Sequence, residues 1–324
     1  MKALVFEEPR RAEVRELDIP SIAADEVLVR SHNVGICHSD FELYEGRYII
    51  PVSYPIIPGH EWSGEVADVG SAVTSLRAGD RIVGECVVNN GADHFGFSIS
   101  GADAEYFVAK AAWLHKIPEE LSFSQGAFVE PFSVAYNATV AAGGIDASDS
   151  VAVIGGGPIG LLCTLAAATM GGIVTLVEPQ AHRRGLGLEI GARNVLDPSE
   201  GDVAEQVAEA TGGRGFDVVI EAAGVPAAMA SALPLAGHGA RVVFVGIDVG
   251  GSAPVQIGLI QSKALQVRGI IGSAGLWPRT IRFMAASGID PAPLLTATFP
   301  LADGTAALEA ARDTSANVKV QIEC

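Results

Sequence analysis

Along the first 110 residues the apolar positions come in short runs rich in Val and Ile, broken by Gly, Asp and Pro. The runs KALVF, EVLVRSHNV, EWSGEVADVG, DRIVGECVV and AEYFVA predict β-strands. Pro51, Pro55, Pro58 and Gly59 mark an irregular stretch between them. From about Gln125 the chain turns small, apolar and helical, as in SQGAFVEPFSVAYNATVAA. Then strands and helices alternate. VAVI at 151–154 predicts a strand, followed by a glycine turn and an apolar helix; Ile173–Glu178 is a second strand. Arg183–Ile190 reads as a helix and 194–197 as a short strand. Asp202–Thr211 has helical spacing, with Val203, Val207 and Ala210 on one face. Asp217–Ile220, Arg241–Val245 and Gln266–Ile271 read as further buried strands. Repeated units of this length imply an α/β fold with a doubly wound parallel sheet. Helices at Arg279–Ser287 and Asp303–Arg312 and a last strand, VKVQIE, complete the pattern.

Val151–Val177 carries no charge and is long enough to span a bilayer, but its seven Gly and Pro positions between 155 and 172 favour strand, turn, helix and strand. The N-terminus becomes charged by Glu7 and has no apolar core of a signal peptide. The 324 residues are enough for about two domains. Hydrophobic residues make up 49% and charged ones 18%, which excludes wholesale disorder. A net charge of −17 argues against a nucleic-acid partner and against anionic membranes. The four cysteines, at 37, 86, 163 and 324, show no C-x-x-C spacing, so a reducing cytoplasm fits better than a disulfide framework.

Gly155–Gly160 reads GGGPIG and satisfies G-x-G-x-x-G between a charge-free strand and a helix. Gly155 would allow the tight turn, Gly157 the approach of backbone to a pyrophosphate, and Gly160 close strand–helix packing. Pro158 and Ile159 open the helix, whose free N–H groups attract a phosphate. Glu178 follows Gly160 by eighteen residues, near the offset of the acid that accepts ribose hydroxyls. It favours NAD over NADP, while Arg183 and Arg184 pull the other way.

A second constellation lies in GICHSD (35–40), GHEWSG (59–64) and VEPFSV (129–134). Cys37 offers a thiolate, His60 an imidazole, and Glu61 or Glu130 a carboxylate. Three protein ligands with an open fourth position is the pattern of catalytic zinc. Spacing alone leaves open a core cysteine and a hydrogen-bonded His-Glu loop.

These strings in this order, with GDR (79–81), AEYF (104–107), the glycine turn and WP (277–278), resemble the zinc-dependent medium-chain dehydrogenase/reductase family over essentially the whole chain. Glu130, where typical alcohol dehydrogenases of the family carry a cysteine, points to its polyol, sorbitol-type branch. The resemblance implies a GroES-like β-rich catalytic domain (1–130), a Rossmann NAD-binding domain (131–272) and a return segment (273–324), with the active site in the cleft between domains. It implies that Cys37 and His60 bind zinc, that Glu61 or Glu130 completes the set, and that Ser39 takes the substrate's proton. Glu61, tethered to His60 by the same loop, is expected as the resting ligand, with Glu130 nearer the bound water. Asp40 would orient His60. It further implies a homodimer or homotetramer, and a small-molecule substrate such as a polyol, sugar or cyclitol.

Three departures follow. The region of a second, structural zinc, Gly84–Ala104, holds only Cys86, so one zinc per chain is expected. Glu42 stands where relatives end a proton relay with histidine, and Gly272 and Ser273 stand where sorbitol dehydrogenases place an Arg-Tyr pair. Two other readings share this scaffold: a zinc-free quinone or enone reductase, and a non-catalytic NAD-binding protein.

Overall fold

The structure, a computed structural model, describes residues 1–201, 203–273 and 275–324. Asp202, the expected first residue of a helix, and Ala274, in the expected return segment, lie outside the described residues. The chain opens with a hairpin of β1 (Lys2–Glu8) and β2 (Arg11–Glu16). Then come β3 (Glu26–Gly35), α1 (His38–Tyr44), β4 (Glu61–Val69) and β5 (Arg81–Gly84). The small ladder of β6 (Val87–Val88) and β7 (Asp93–His94) precedes β8 (Tyr106–Lys110), β9 (Leu114–Lys116), α2 (Phe123–Ala127) and α3 (Val129–Ala141). A capping box starts α2: Ser122 Oγ accepts from Gln125 N–H at 3.1 Å, and Gln125 Oε1 accepts from Ser122 N–H at 2.9 Å.

The alternating part contains β10 (Ser150–Ile154), α4 (Pro158–Thr169), β11 (Ile173–Val177), α5 (Ala181–Glu189), β12 (Asn194–Leu196), α6 (Val203–Thr211), β13 (Phe216–Glu221), α7 (Pro226–Leu235), β14 (Ala236–Phe244), α8 (Leu259–Ser262) and β15 (Gln266–Gly269). The chain ends in α9 (Trp277–Ser287), β16 (Leu295–Pro300), α10 (Gly304–Arg312) and β17 (Lys319–Glu323).

Two compact units result. The first holds Met1–Glu130, Trp277–Ala286 and Leu295–Cys324; the second holds Pro131–Leu276 and Ser287–Leu294. In the first, β16-β17-β3-β4-β5-β9 form one sheet, with β8 also paired to β3. Leu4, Phe6, Phe41, Leu43, Phe97, Leu308 and Ile322 share one core on it. In the second, six parallel strands run β12-β11-β10-β13-β14-β15. Val151, Ala152 and Val153 are fully buried, which is why this strand reads as a continuous apolar run.

Two expectations are corrected, and one strand was not foreseen. Gln266–Ile271 is not a buried strand: β15 ends at Gly269, and all four of its residues are exposed because it forms the edge of its sheet. DRIVGECVV is not continuous, because Glu85 N–H turns to Trp113 O and Cys86 O accepts from Phe95 N–H, which starts the β6–β7 ladder. The mostly polar RAEVRE forms β2, held by its ladder to β1 and half-burying only Ala12 and Val14. Val151–Val177 folds as β10, α4 and β11. No helix among the described residues is long and apolar enough to cross a membrane.

Candidate active site

Cys37 is the N-cap residue of α1, with extended backbone. Its N–H donates to Asp40 Oδ2 at 2.8 Å, so the first turn of the helix fixes the position of the thiol. His60 and Glu61 stand at the start of β4, after Gly59, whose φ of +95° a side chain would strain. Antiparallel register sets Glu61 opposite Gly35 at the end of β3. A Cβ on Gly35 would come within 2.4 Å of Glu61 Oε2, so that glycine gives the carboxylate its room.

Cys37 Sγ, a ring nitrogen of His60 and a carboxylate oxygen of Glu61 lie within 4.8 Å of one another. His60 Nδ1 is 3.3 Å from Asp40 Oδ1, and both side chains are buried. Neither atom has an aligned hydrogen-bond partner among the described residues. Burial lowers the basicity of His60, but Asp40 and Cys37 outweigh it and hold the ring well above the usual histidine range. One thiol, one imidazole and one carboxylate around a common point, with an acid behind the imidazole, fit a zinc ion.

Lys319, the first residue of β17, reaches this cluster. Its Nζ donates to Glu61 Oε1 and Oε2 at 2.9 and 2.6 Å and to Ile36 O at 3.1 Å. Burial lowers the ammonium's pKa, but Glu61 and the other negative groups more than offset that and raise it. Glu130 lies in the first turn of α3, outside the group of three donors. Burial, opposed by His60 and reinforced by the like charge of Glu61, pushes its carboxyl up to about 7. Ser39 is half-buried in the first turn of α1.

In the second unit the glycine turn joins β10 to α4. Gly155 has φ +99°, and a Cβ on Gly160 would fall 1.9 Å from Gly155 O, so both positions require glycine. At Gly157, the N-cap residue of α4, an added Cβ would meet nothing within 4 Å. That open face leaves room for a phosphate beside the helix start, which Pro158 begins and Ile159 continues. Glu178 is buried just past β11 and accepts from Gly156 N–H at 2.6 Å and Gln180 N–H at 2.8 Å. Its two oxygens retain lone pairs for further donors. Arg184 is committed elsewhere: its Nη1 donates to Glu178 O, Pro179 O and Asp197 Oδ2. Arg183 is buried in α5.

Residues 23–119 match the alcohol dehydrogenase GroES-like domain, and residues 158–286 match the zinc-binding dehydrogenase family. Sorbitol dehydrogenase of Bacillus subtilis is 32% identical over 332 residues, covering 96% of this chain and 93% of that protein. The chain belongs to the zinc-binding dehydrogenase family. Its fold, a GroES-like domain and a Rossmann-type parallel sheet, is the one expected, and the protein is an oxidoreductase. Among solved structures, a protein of Sinorhizobium meliloti bound to NADP superposes with a TM-score of 0.89 at 30% identity, over 100% of this chain and 99% of the other. A short chain alcohol dehydrogenase of Escherichia coli complexed with NADH gives 0.92 at 28% identity, with the same coverage.

Within this zinc-binding dehydrogenase the expected site residues fall into separate places. Cys37, His60 and Glu61 gather, with Asp40 behind His60; Glu130 stays outside the trio. Gly155, Gly157, Pro158, Ile159, Gly160 and Glu178 form one turn region, with Arg183 on the next helix. Of the departures from relatives, Ser273 Oγ is 2.5 Å from Ser133 Oγ, and Gly272 O accepts from Asn137 Nδ2 at 2.8 Å. Sequence reasoning missed Lys319. The signal available was the lysine second in VKVQIE, otherwise a strand for the core. It also missed Phe97, whose ring lies 4.6 Å from that of His60.

Proposed function

We propose that the protein is a zinc-dependent, NAD-linked dehydrogenase that interconverts a secondary alcohol of a polyol, sugar or cyclitol with the corresponding ketone. The observation that carries this reading is the gathering of Cys37, His60 and Glu61 donors within 4.8 Å, in a chain that also holds a glycine turn closed by Glu178. In this reading residues 1–130 and 273–324 make the catalytic domain and 131–272 hold the nucleotide. Bound zinc would supply Lewis acidity toward the substrate hydroxyl, and nicotinamide would accept the hydride.

The chain's own residues do the rest. Cys37 and Glu61 bring negative charge and His60 a neutral nitrogen, with Asp40 fixing the imidazole's orientation. Lys319 holds Glu61 by an ion pair, and the carboxylate would serve as third ligand to the metal. Glu130, whose carboxyl is raised to about 7 by burial in the field of His60 and Glu61, is able to exchange a proton near neutrality. Ser39 Oγ takes the hydroxyl proton from the substrate. Glu178 accepts from the ribose hydroxyls and its charge disfavours a 2′-phosphate, while the Gly157 backbone lets the pyrophosphate approach. The sorbitol dehydrogenase relative supports a polyol-type substrate. We place the enzyme in the cytoplasm as a homodimer or homotetramer.

The test is elemental analysis together with NADH absorbance on a panel of polyols, sugars and cyclitols. About one zinc per chain is expected, with NAD-dependent oxidation lost on chelation and restored by zinc. Glu61→Gln should lose most of its metal; Glu130→Gln should keep most of it and move the pH–rate profile. Near two zincs per chain, or activity that survives chelation, overturns the reading. Loss of metal in Glu130→Gln alone reverses the assignment of the two acids.

A further inference from the structure

Beside the candidate metal cluster stands an aromatic stack that the proposed chemistry does not use. Tyr48 lies on Phe97, with centroids 4.4 Å apart and planes within 11°; Phe97 in turn lies 4.6 Å from the ring of His60. Phe97 is fully buried, whereas Tyr48 is half-buried and packs on the edge of the same core. The segment carrying Tyr48 is tied down just after α1. Arg47 N–H donates to Glu42 O at 2.8 Å, Gly46 N–H donates to Leu43 O at 3.0 Å, and Tyr54 Oη donates to Leu43 O.

The ring is therefore fixed by stacking and its backbone by a turn. The phenol hydroxyl, in contrast, makes no hydrogen bond among the described residues. It lies in the field of Cys86, His60, Cys37 and Asp40, and burial pushes it up to about 12, so it stays a donor at any pH at which the protein works. A half-buried hydroxyl on a rigid ring, one aromatic layer from a metal ligand and lacking a protein partner, fits a polar ligand group beside the metal.

On the metal-site reading above, we propose that Tyr48 is a specificity-determining residue, whose hydroxyl donates a hydrogen bond to the substrate hydroxyl adjacent to the one that is oxidised. The site then selects vicinal diols over simple secondary alcohols. A site built to hydrogen-bond a hydroxyl discriminates against an analogue lacking it, because the protein's polar group is left unpaired.

The probes are meso-2,3-butanediol and 2-butanol, oxidised by the zinc-loaded wild type and by Tyr48→Phe, which keeps the stack on Phe97. Wild type should prefer the diol in kcat/KM, and Tyr48→Phe should lower the diol-to-monoalcohol ratio roughly tenfold or more. Calorimetry of the diol binding to the NADH-loaded enzyme should show its Kd weakened by a similar factor in Tyr48→Phe. A ratio and a Kd that do not move overturn the role of Tyr48 and leave the dehydrogenase reading standing. A zinc-loaded wild type that oxidises neither alcohol, nor any compound of the polyol panel, overturns the reading beneath and this inference with it.

Discussion

Glu61 and Lys319 are 1% and 2% exposed, and each would carry an uncompensated charge into the interior without the other. Removing one partner of such a pair typically costs about 3–5 kcal/mol, so its retention makes sense where the carboxylate has work to do. Asp103 shows the opposite situation. It is buried, its Oδ1 has no partner among the described residues, and its carboxyl packs against Gly59, where an added Cβ would sit 2.9 Å from Asp103 Cγ. Burial, reinforced by Asp40 and opposed by His60, holds its pKa well above the usual carboxyl range. The native state therefore keeps a proton that the unfolded chain releases near pH 4, and stability falls as pH rises from there. In Asp103→Asn the unfolding free energy should decline less steeply with pH, by up to about 1.4 kcal/mol per pH unit. Urea unfolding at several pH values between about 4 and 8 measures it; parallel curves for the two proteins would refute a protonated Asp103. The sequence offered Asp103 only as one more charge before AEYF. Its burial depends on which backbone folds over it.

At the scale of the element, the strand–turn–helix around Gly155–Gly160 was legible because its residues carry local requirements: a positive φ at Gly155 and close approach at Gly160. The structure adds a use for Glu178. Its carboxylate clamps the glycine turn through Gly156 N–H and the start of α5 through Gln180 N–H. Glu178→Ala should therefore do two things at once. The preference for NAD over NADP should narrow, and the melting temperature should fall, since two charge-assisted bonds to backbone are each worth about 1.5–3 kcal/mol. Steady-state kinetics with both cofactors and a thermal melt check this. A variant that melts lower but keeps its full cofactor preference would leave Glu178 a purely structural clamp. The short α1 was not legible in advance. It has seven residues, and the sequence assigned Cys37 and Asp40 roles at a metal site without showing that they also cap a helix.

At the scale of the whole molecule, the sheet in the second unit ends on β15, whose outer edge is unpaired among the described residues and whose four residues are all exposed. Apolar side chains lie exposed around it, among them Val267 on the strand and Ile271 just after it at 75%. An open apolar edge of this kind pairs readily with another strand, and a second copy of the chain supplies one. We expect a dimer or tetramer in solution, and Val267→Lys should shift it toward monomer in sedimentation velocity. A wild type that sediments as a monomer at all concentrations would exclude this edge as a self-association site.

The sequence alone determined the fold class, the parallel sheet and the glycine turn, because periodicity and backbone freedom are local properties of the chain. It also named the residue types able to bind metal, since a thiol, an imidazole and a carboxylate carry their chemistry wherever they stand. Only tertiary structure put the carboxylate of Glu61, the third ligand expected from its place beside His60, within reach of Cys37 and His60 and left Glu130 outside that group. Register set that placement: β3 and β4 pair Gly35 with Glu61, and β17, returning nearly 300 residues later beside β3, brings Lys319 onto the same carboxylate. The stack of Tyr48, Phe97 and His60 likewise joins three loops that no local pattern links. Such contacts come from closing a sheet over distant segments. Their energy lies in burial and charge pairing between residues whose separation in sequence carries no record of it.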